Sequence, residues 1–324
     1  MGLIFSDIPE LLGSNTEITL RNLDELEERL NFIIEERLAH IDELSNAIVT
    51  DGEETDIIKS IILSLKPEIF CDNEKILNKN QKSINNIYSA LSLRERLLIC
   101  EGISNACVCG EKVGYEDFFE FSNPNISADS KDRIAYLKNS YNDTAYLEFS
   151  KLLTSPRASY FDSIANVCES VYNGECEYCI LPLETSSDGK LSSFYDMILK
   201  YGFIICAVYD LHNSESSRFT RYGLIGRSLN VKGSSFKTKS KIKYFEFAFE
   251  DDSYPSAVDV LSASEFCSMK LRRIDTINTT TSRNSKAPLI CPIFRIDNAD
   301  LNTFLIFMAI DCPKFRPLGI YTQI

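Results

Sequence analysis

The period of the apolar positions changes along this chain, and each change predicts a different kind of structure. Between residues 22 and 49, Leu23, Leu26, Leu30, Ile33, Ile34, Leu38, Ile41, Leu44 and Ile48 recur at three- and four-residue spacing, the pattern of one helical face. Similar spacing predicts helices over 55–65, 81–91 and 93–105, the last opened by Ser92 and Glu95 as a capping box. The stretch 114–132 is acidic and polar and contains Asn123-Pro124-Asn125, so it reads as a linker. Around Arg133 short apolar runs begin to alternate with helical stretches, as in an α/β layer. Strands are expected at 134–137, 158–161, 176–183 and 203–209. Helices are expected up to Leu153 and over 163–172 and 192–201. The locally basic, Gly- and Ser-containing stretch 232–243 reads as an exposed linker. Beyond it, elements at 243–249, 256–266, 269–278, 289–296, 299–310 and 318–322 follow a βαββαβ, ferredoxin-like order. The expected class is α+β: a helical domain over 1–113, a linker over 114–132, an α/β lobe over 133–232 and a ferredoxin-like domain over 241–324.

Composition narrows the function classes. A chain of 324 residues can bury two or three cores, and 44% apolar with 25% charged residues is ordinary for a globular protein. A net charge of -13 argues against a nucleic-acid partner, which needs a surplus of Lys and Arg. No apolar run reaches the roughly 18 residues of a spanning helix, so no membrane role is expected. The first residues lack the basic start and long apolar core of a secretory signal, which points to the cytoplasm; Gly2 and Ser6 fit N-myristoylation only loosely. Most of the eleven cysteines sit in apolar runs and read as small buried hydrophobes. Cys176 with Cys179, and Cys107 with Cys109, are each half of a zinc site at most, since zinc takes about four ligands. His40 and His212 are not spaced as a ligand pair, so neither metal nor cofactor is expected. Arg21, Arg29 and Arg37 share a helical stripe, but Glu27, Glu28, Glu35 and Glu36 are interleaved with them as in a solvated ion-paired face.

Two motifs carry chemistry. The first is Tyr178-Cys179-Ile180-Leu181-Pro182-Leu183-Glu184-Thr185-Ser186, with Gly189 following. The second is Thr220-Arg221-Tyr222, placed before the apolar strand 223–226. In order and setting they resemble the Leu-Pro-Ile-Glu-Asn-Ser strand and loop and the Thr-Arg-Phe motif of prephenate dehydratases. The ending Arg316-Pro317-Leu318-Gly319-Ile320-Tyr321 is similar to the closing strand of the ACT domains that follow those enzymes. The resemblance implies a lobe of the periplasmic-binding-protein type. It also implies a site for prephenate, a dianion that loses carbon dioxide and its ring hydroxyl together. Such a site needs donors for two carboxylates and a group that protonates the leaving oxygen. It would place Thr220 at that hydroxyl with Arg221 beside it, and Glu184, Thr185 and Ser186 in the cleft. ACT domains pair and bind amino acids such as phenylalanine between protomers, which here implies Ser256, Ala257, Asp275 and Thr276. A homodimer through the C-terminal domain and a small carboxylate or amino-acid ligand are therefore expected.

The sequence also departs from the family. Lys138-Asn139-Ser140-Tyr141-Asn142 stands where the family has a glycine-rich loop before a helix N-terminus. Thr185 replaces the Asn of Glu-Asn-Ser. Only the ten residues from Asp210 to Phe219 connect two strands between which the family builds a second lobe, and ten residues form a hairpin loop, not a lobe. Without that lobe a cleft loses its water exclusion and preorganised donors. The leading expectation is an inactive relative that binds a ligand or regulates. The alternatives are an active dehydratase whose cleft other segments complete, and a docking protein that uses its N-terminal helices. The plain structural reading makes Thr220 and Arg221 strand residues and Glu184 to Ser186 a helix-capping loop.

Overall fold

The computed structural model describes residues 91–105, 107–108, 111–112, 130–212, 218–227, 243–250, 255–278, 288–312 and 314–324. The helices expected before residue 91, with Arg21, Arg29 and Arg37, and nearly all of the linker 114–132 lie outside them. The basic stretch 232–242 does so too.

Helix α1 (Leu93–Asn105) opens the described chain. Its capping box forms: the Ser92 amide donates to Glu95 Oε2 at 2.7 Å, and the Glu95 amide donates to Ser92 Oγ at 3.4 Å. The short strands β1 (Cys107–Val108) and β2 (Glu111–Lys112) pair with each other. The lobe follows as β3 (Arg133–Leu137), α2 (Ser140–Ser150), β4 (Arg157–Phe161), α3 (Ile164–Tyr172), β5 (Tyr178–Thr185), β6 (Gly189–Lys190), α4 (Ser192–Tyr201), β7 (Ile204–His212) and β8 (Phe219–Gly226). The last unit is β9 (Tyr244–Glu250), α5 (Ala257–Phe266), β10 (Lys270–Ile277), β11 (Leu289–Arg295), α6 (Leu301–Asp311) and β12 (Arg316–Gln323). Among the described residues no helix is long and apolar enough to cross a membrane.

Local chemistry fixes the helix ends. Asn139 and Ser163 accept from the backbone of Asn142 and Asn166 at the starts of α2 and α3. Ser256 and Asp259 form a reciprocal capping box on α5. Helix α4 stops at Gly202, whose φ of 64° is the left-handed conformation that a residue without Cβ adopts cheaply.

One sheet runs β10-β11-β9-β12-β7-β8-β5-β3-β4, with β6 paired to β5. The C-terminal unit contributes four antiparallel strands in ferredoxin-like order. In the lobe, β3 is parallel to both β4 and β5, while β8 is antiparallel to β5 and β7. The seam between the units is the parallel pairing of β12 with β7. Gly319 makes it possible: a Cβ there would lie 2.3 Å from the Ile205 carbonyl oxygen.

Strand β9 separates two of the three apolar cores. Phe245, Phe247 and Phe249 alternate onto one face, where Phe247 stacks on Phe294 with centroids 6.0 Å apart and meets Phe304. Leu97, Ile99 and Cys100 of α1 enter that same cluster, so α1 packs with the helices of the C-terminal unit. Arg96 bonds Asp311 at the end of α6 at 2.9 Å. Each large apolar side chain buried here is worth about 1.5–3 kcal/mol. On the other face, Ala248 joins Leu181, Leu183, Ile198, Ile205, Ile277 and Cys291 in a core shared by both units.

The connection expected to be too short for a second lobe is a hairpin. His212 pairs with Phe219, Leu211 with Thr220 and Asp210 with Arg221. The expectation of a helix-capping loop at Glu184–Ser186 is corrected. Strand β5 extends through Thr185, the chain turns at Ser186–Asp188, and Gly189 returns as β6 with a φ of 67°. The cause is the turn itself, in which Asp188 accepts from the hydroxyls of Thr185 and Ser187.

Candidate functional site

The β5–β8 ladder sets the motif residues against each other. Thr185 lies opposite Thr220, and Glu184 opposite Arg221. Ser186 closes the end by donating its amide to the Phe219 carbonyl at 3.0 Å and accepting the Phe219 amide on its hydroxyl at 3.2 Å. The five lobe residues expected from sequence therefore share one corner of the fold.

Their charges face inward, toward one another. Arg221 grips Asp210 with two bonds of 2.7 and 2.8 Å, a fork-to-carboxylate geometry, and reaches Glu184 Oε2 at 3.2 Å. The same Glu184 carboxylate takes two bonds from Arg273 of β10, at 2.7 and 2.8 Å. Arg273 also donates from Nε to Asp275 at 2.7 Å, and Gln323 of β12 donates to Asp210 at 2.8 Å. Neighbouring carboxylates hold both guanidinium groups firmly protonated, although burial opposes it. The hydroxyl of Thr220 takes no part in these bonds.

Deeper in the shared core lies a second pair. Lys190 bonds Glu246, and both side chains are 2% exposed. Tyr195 donates to Glu246 Oε1 at 3.0 Å and Tyr321 to Oε2 at 2.7 Å, so both carboxylate oxygens are satisfied. Lys190 also stands 3.7 Å from Asp275, which links the two groups. Burial raises the cost of ionising Glu246, but Lys190 and the two hydroxyls outweigh it and hold the carboxyl below its usual range. Burial likewise disfavours the Lys190 ammonium, and Glu246 more than compensates, so its pKa rises. Burial and Glu246 together push both tyrosine hydroxyls up.

Four carboxylates (Asp210, Glu184, Asp275 and Glu246) thus meet three cations (Arg221, Arg273 and Lys190), one negative charge in excess. This cluster holds no cationic surplus for a dianion. The stretch that stands in place of the family's glycine-rich loop bonds to itself. Asn139 Oδ1 takes the Asn142 amide at 2.8 Å in the first turn of α2, and Asn142 bonds back to the Leu137 carbonyl.

The residues expected in the C-terminal unit are not gathered in this way. Ser256 is spent on its capping box, and Ala257 begins α5 beside it. Asp275 belongs to the ion cluster, and Thr276 is exposed on β10 opposite Ile290. Cys176 and Cys179 are buried in the shared core, while Cys109 lies outside the described residues.

Asp210, Lys190, Arg273, Glu246, Tyr195, Tyr321 and Gln323 were not foreseen. Only Glu246 left a signal: it interrupts Tyr244-Phe245-Glu246-Phe247-Ala248-Phe249 on the face that also carries Ala248. A lone charge amid so apolar a strand needs a buried partner.

Residues 134–212, from β3 to the end of β7, match the family model of prephenate dehydratase. Among solved structures, prephenate dehydratase from Streptococcus mutans is 19% identical with a TM-score of 0.45, over 59% of this chain and 99% of that one. Prephenate dehydratase from Arthrobacter aurescens in complex with L-Phe is 12% identical, with a TM-score of 0.43 over 59% and 90%. GqqA, described as a novel type of quorum quenching acylase, is 14% identical, with a TM-score of 0.43 over 59% and 94%. No curated protein matched the chain. The segment from β3 to β7 is thus similar to prephenate dehydratase, the family whose model it matches.

Proposed function

We propose that this dehydratase relative is a cytoplasmic ligand-binding or regulatory protein without turnover, homodimeric through its C-terminal unit. The observation that carries the reading is the occupation of Arg221 and Glu184 by partners within the chain, one of which, Arg273, comes from the C-terminal unit. Prephenate needs donors for two carboxylates, and the guanidinium that the Thr-Arg motif would offer is already gripped by Asp210. The β7–β8 hairpin supports the same reading, because a cleft with one wall admits water. For the dimer, β10 is an edge among the described strands, with Leu271 and Ile274 exposed.

A second reading, an active dehydratase completed by other segments, is favoured by one observation. Thr220, the residue the family places at the leaving hydroxyl, stays outside the ion cluster. A ligand that binds only the folded state raises stability, by about 2.7 kcal/mol at a hundredfold excess over Kd. Thermal melting with prephenate, phenylpyruvate and L-phenylalanine should therefore show a concentration-dependent rise in Tm for at least one of them. Unchanged melting with all three at millimolar concentration would contradict the binding reading.

A further inference from the structure

We infer that Arg273 is an autoinhibitory latch, by which the C-terminal unit closes over the Glu184–Arg221 corner of the lobe. In hydrogen-bonded order, β10 stands six places from β5. Among the described strands β10 pairs only with β11, and β6 only with β5, so no ladder joins the two ends of this run. The sheet nevertheless curls until Arg273 meets Glu184 with two short bonds. Above the apolar core that Ile277 shares with Leu181 and Leu183, charged side chains span the gap: Arg273 to Glu184, and Lys190 of β6 to Asp275 of β10 and Glu246 of β9.

The layering gives the latch its direction. Arg273 is the outermost member at 35% exposure, while Glu184 and Arg221 beneath it are at 8% and 13%. Releasing Arg273 uncovers the Glu184 carboxylate, and beside it the Arg221 guanidinium that Asp210 still holds. The Arg273–Glu184 pair, whose guanidinium is partly exposed, opens more readily than a backbone ladder, and salt weakens it. The inference does not depend on whether the lobe has turnover, because it concerns only access to the corner.

Hydrogen exchange resolved along the chain tests it. In Arg273→Met, amides of 185–190 should exchange about tenfold faster, with those of β3 and β9 unchanged. Arg273→Lys should fall between this variant and the wild type, since it keeps the charge but loses the fork. In the wild-type protein, added sodium chloride should speed the same hairpin selectively, a readout that needs no variant to fold. Unchanged exchange at 185–190, or an equal rise in β3 and β9, would overturn the latch.

Discussion

Lys190→Met should lower the stability of the fold by about 3–5 kcal/mol, the usual cost of leaving a buried charge without its partner. Lys190 is the only cation bonded to Glu246 among the described residues, and neither side chain reaches solvent. The methionine would fill the volume, but the Glu246 carboxylate would keep only the hydroxyls of Tyr195 and Tyr321. The second substitution, Glu246→Gln, should restore most of the loss, because a neutral amide still accepts from a tyrosine and carries no charge to desolvate. Urea unfolding of the wild type, the single and the double variant measures this directly, with midpoints compared at constant slope.

The same pair dictates a pH dependence with a definite sign. The folded pKa of Glu246 is depressed, so its contribution is present above the ordinary carboxyl range and is lost as pH falls through the folded value. The pKa of Lys190 is raised, so its contribution is complete below the ordinary ammonium range and is lost as pH climbs through the folded value. Between about pH 6 and 9 the pair is therefore silent, given ordinary values near 4.3 and 10.4. The acid-side loss of stability should be shallower in the Lys190→Met, Glu246→Gln double variant than in the wild type. An unchanged acid limb would mean that other carboxylates govern it.

Gly319→Ala should be the costliest of the glycine substitutions at the sheet junction, at about 2–3 kcal/mol. The added Cβ would meet the Ile205 carbonyl oxygen at 2.3 Å and the Ile205 nitrogen at 2.9 Å. Both are backbone atoms, so relief requires β12 and β7 to separate, and that pairing joins the lobe to the C-terminal unit. Gly223→Ala makes the contrast. Its Cβ would meet the side-chain ends of Leu183 and Ile225 at 2.6 and 2.8 Å, which can rotate aside. Calorimetric melting of the two variants should therefore give a larger drop in Tm for Gly319→Ala. The reverse order would mean that the seam between the units adjusts easily.

Much of this architecture was legible in the sequence, and the exceptions share a cause. The capping box of Ser92 and Glu95 marked the start of its helix because that signal is local. The Asp210–Phe219 connection was legible as a hairpin from its length alone. Arg273 left no such trace, since its partner is 89 positions away in the chain and in a different unit. Its neighbours Arg272 and Asp275 give a strand no visible reason to prefer one arginine. The role of Gly319 was hidden likewise, because Ile205 is remote in sequence and the β12–β7 pairing crosses the expected domain boundary. Thr185 and Thr220 were found because a motif named them, whereas the charges that surround them come from segments that carry no motif.

The lobe carries the motif residues, and the charges of Glu184 and Arg221 are bonded to partners within the chain. Incubating the purified protein with prephenate and following phenylpyruvate tests it most directly, with Thr220→Ala as control. Equal rates are expected for both proteins, neither above the spontaneous reaction. Turnover by the wild type that Thr220→Ala abolishes would contradict it, and would mean that another segment supplies the missing wall and the donors for two carboxylates.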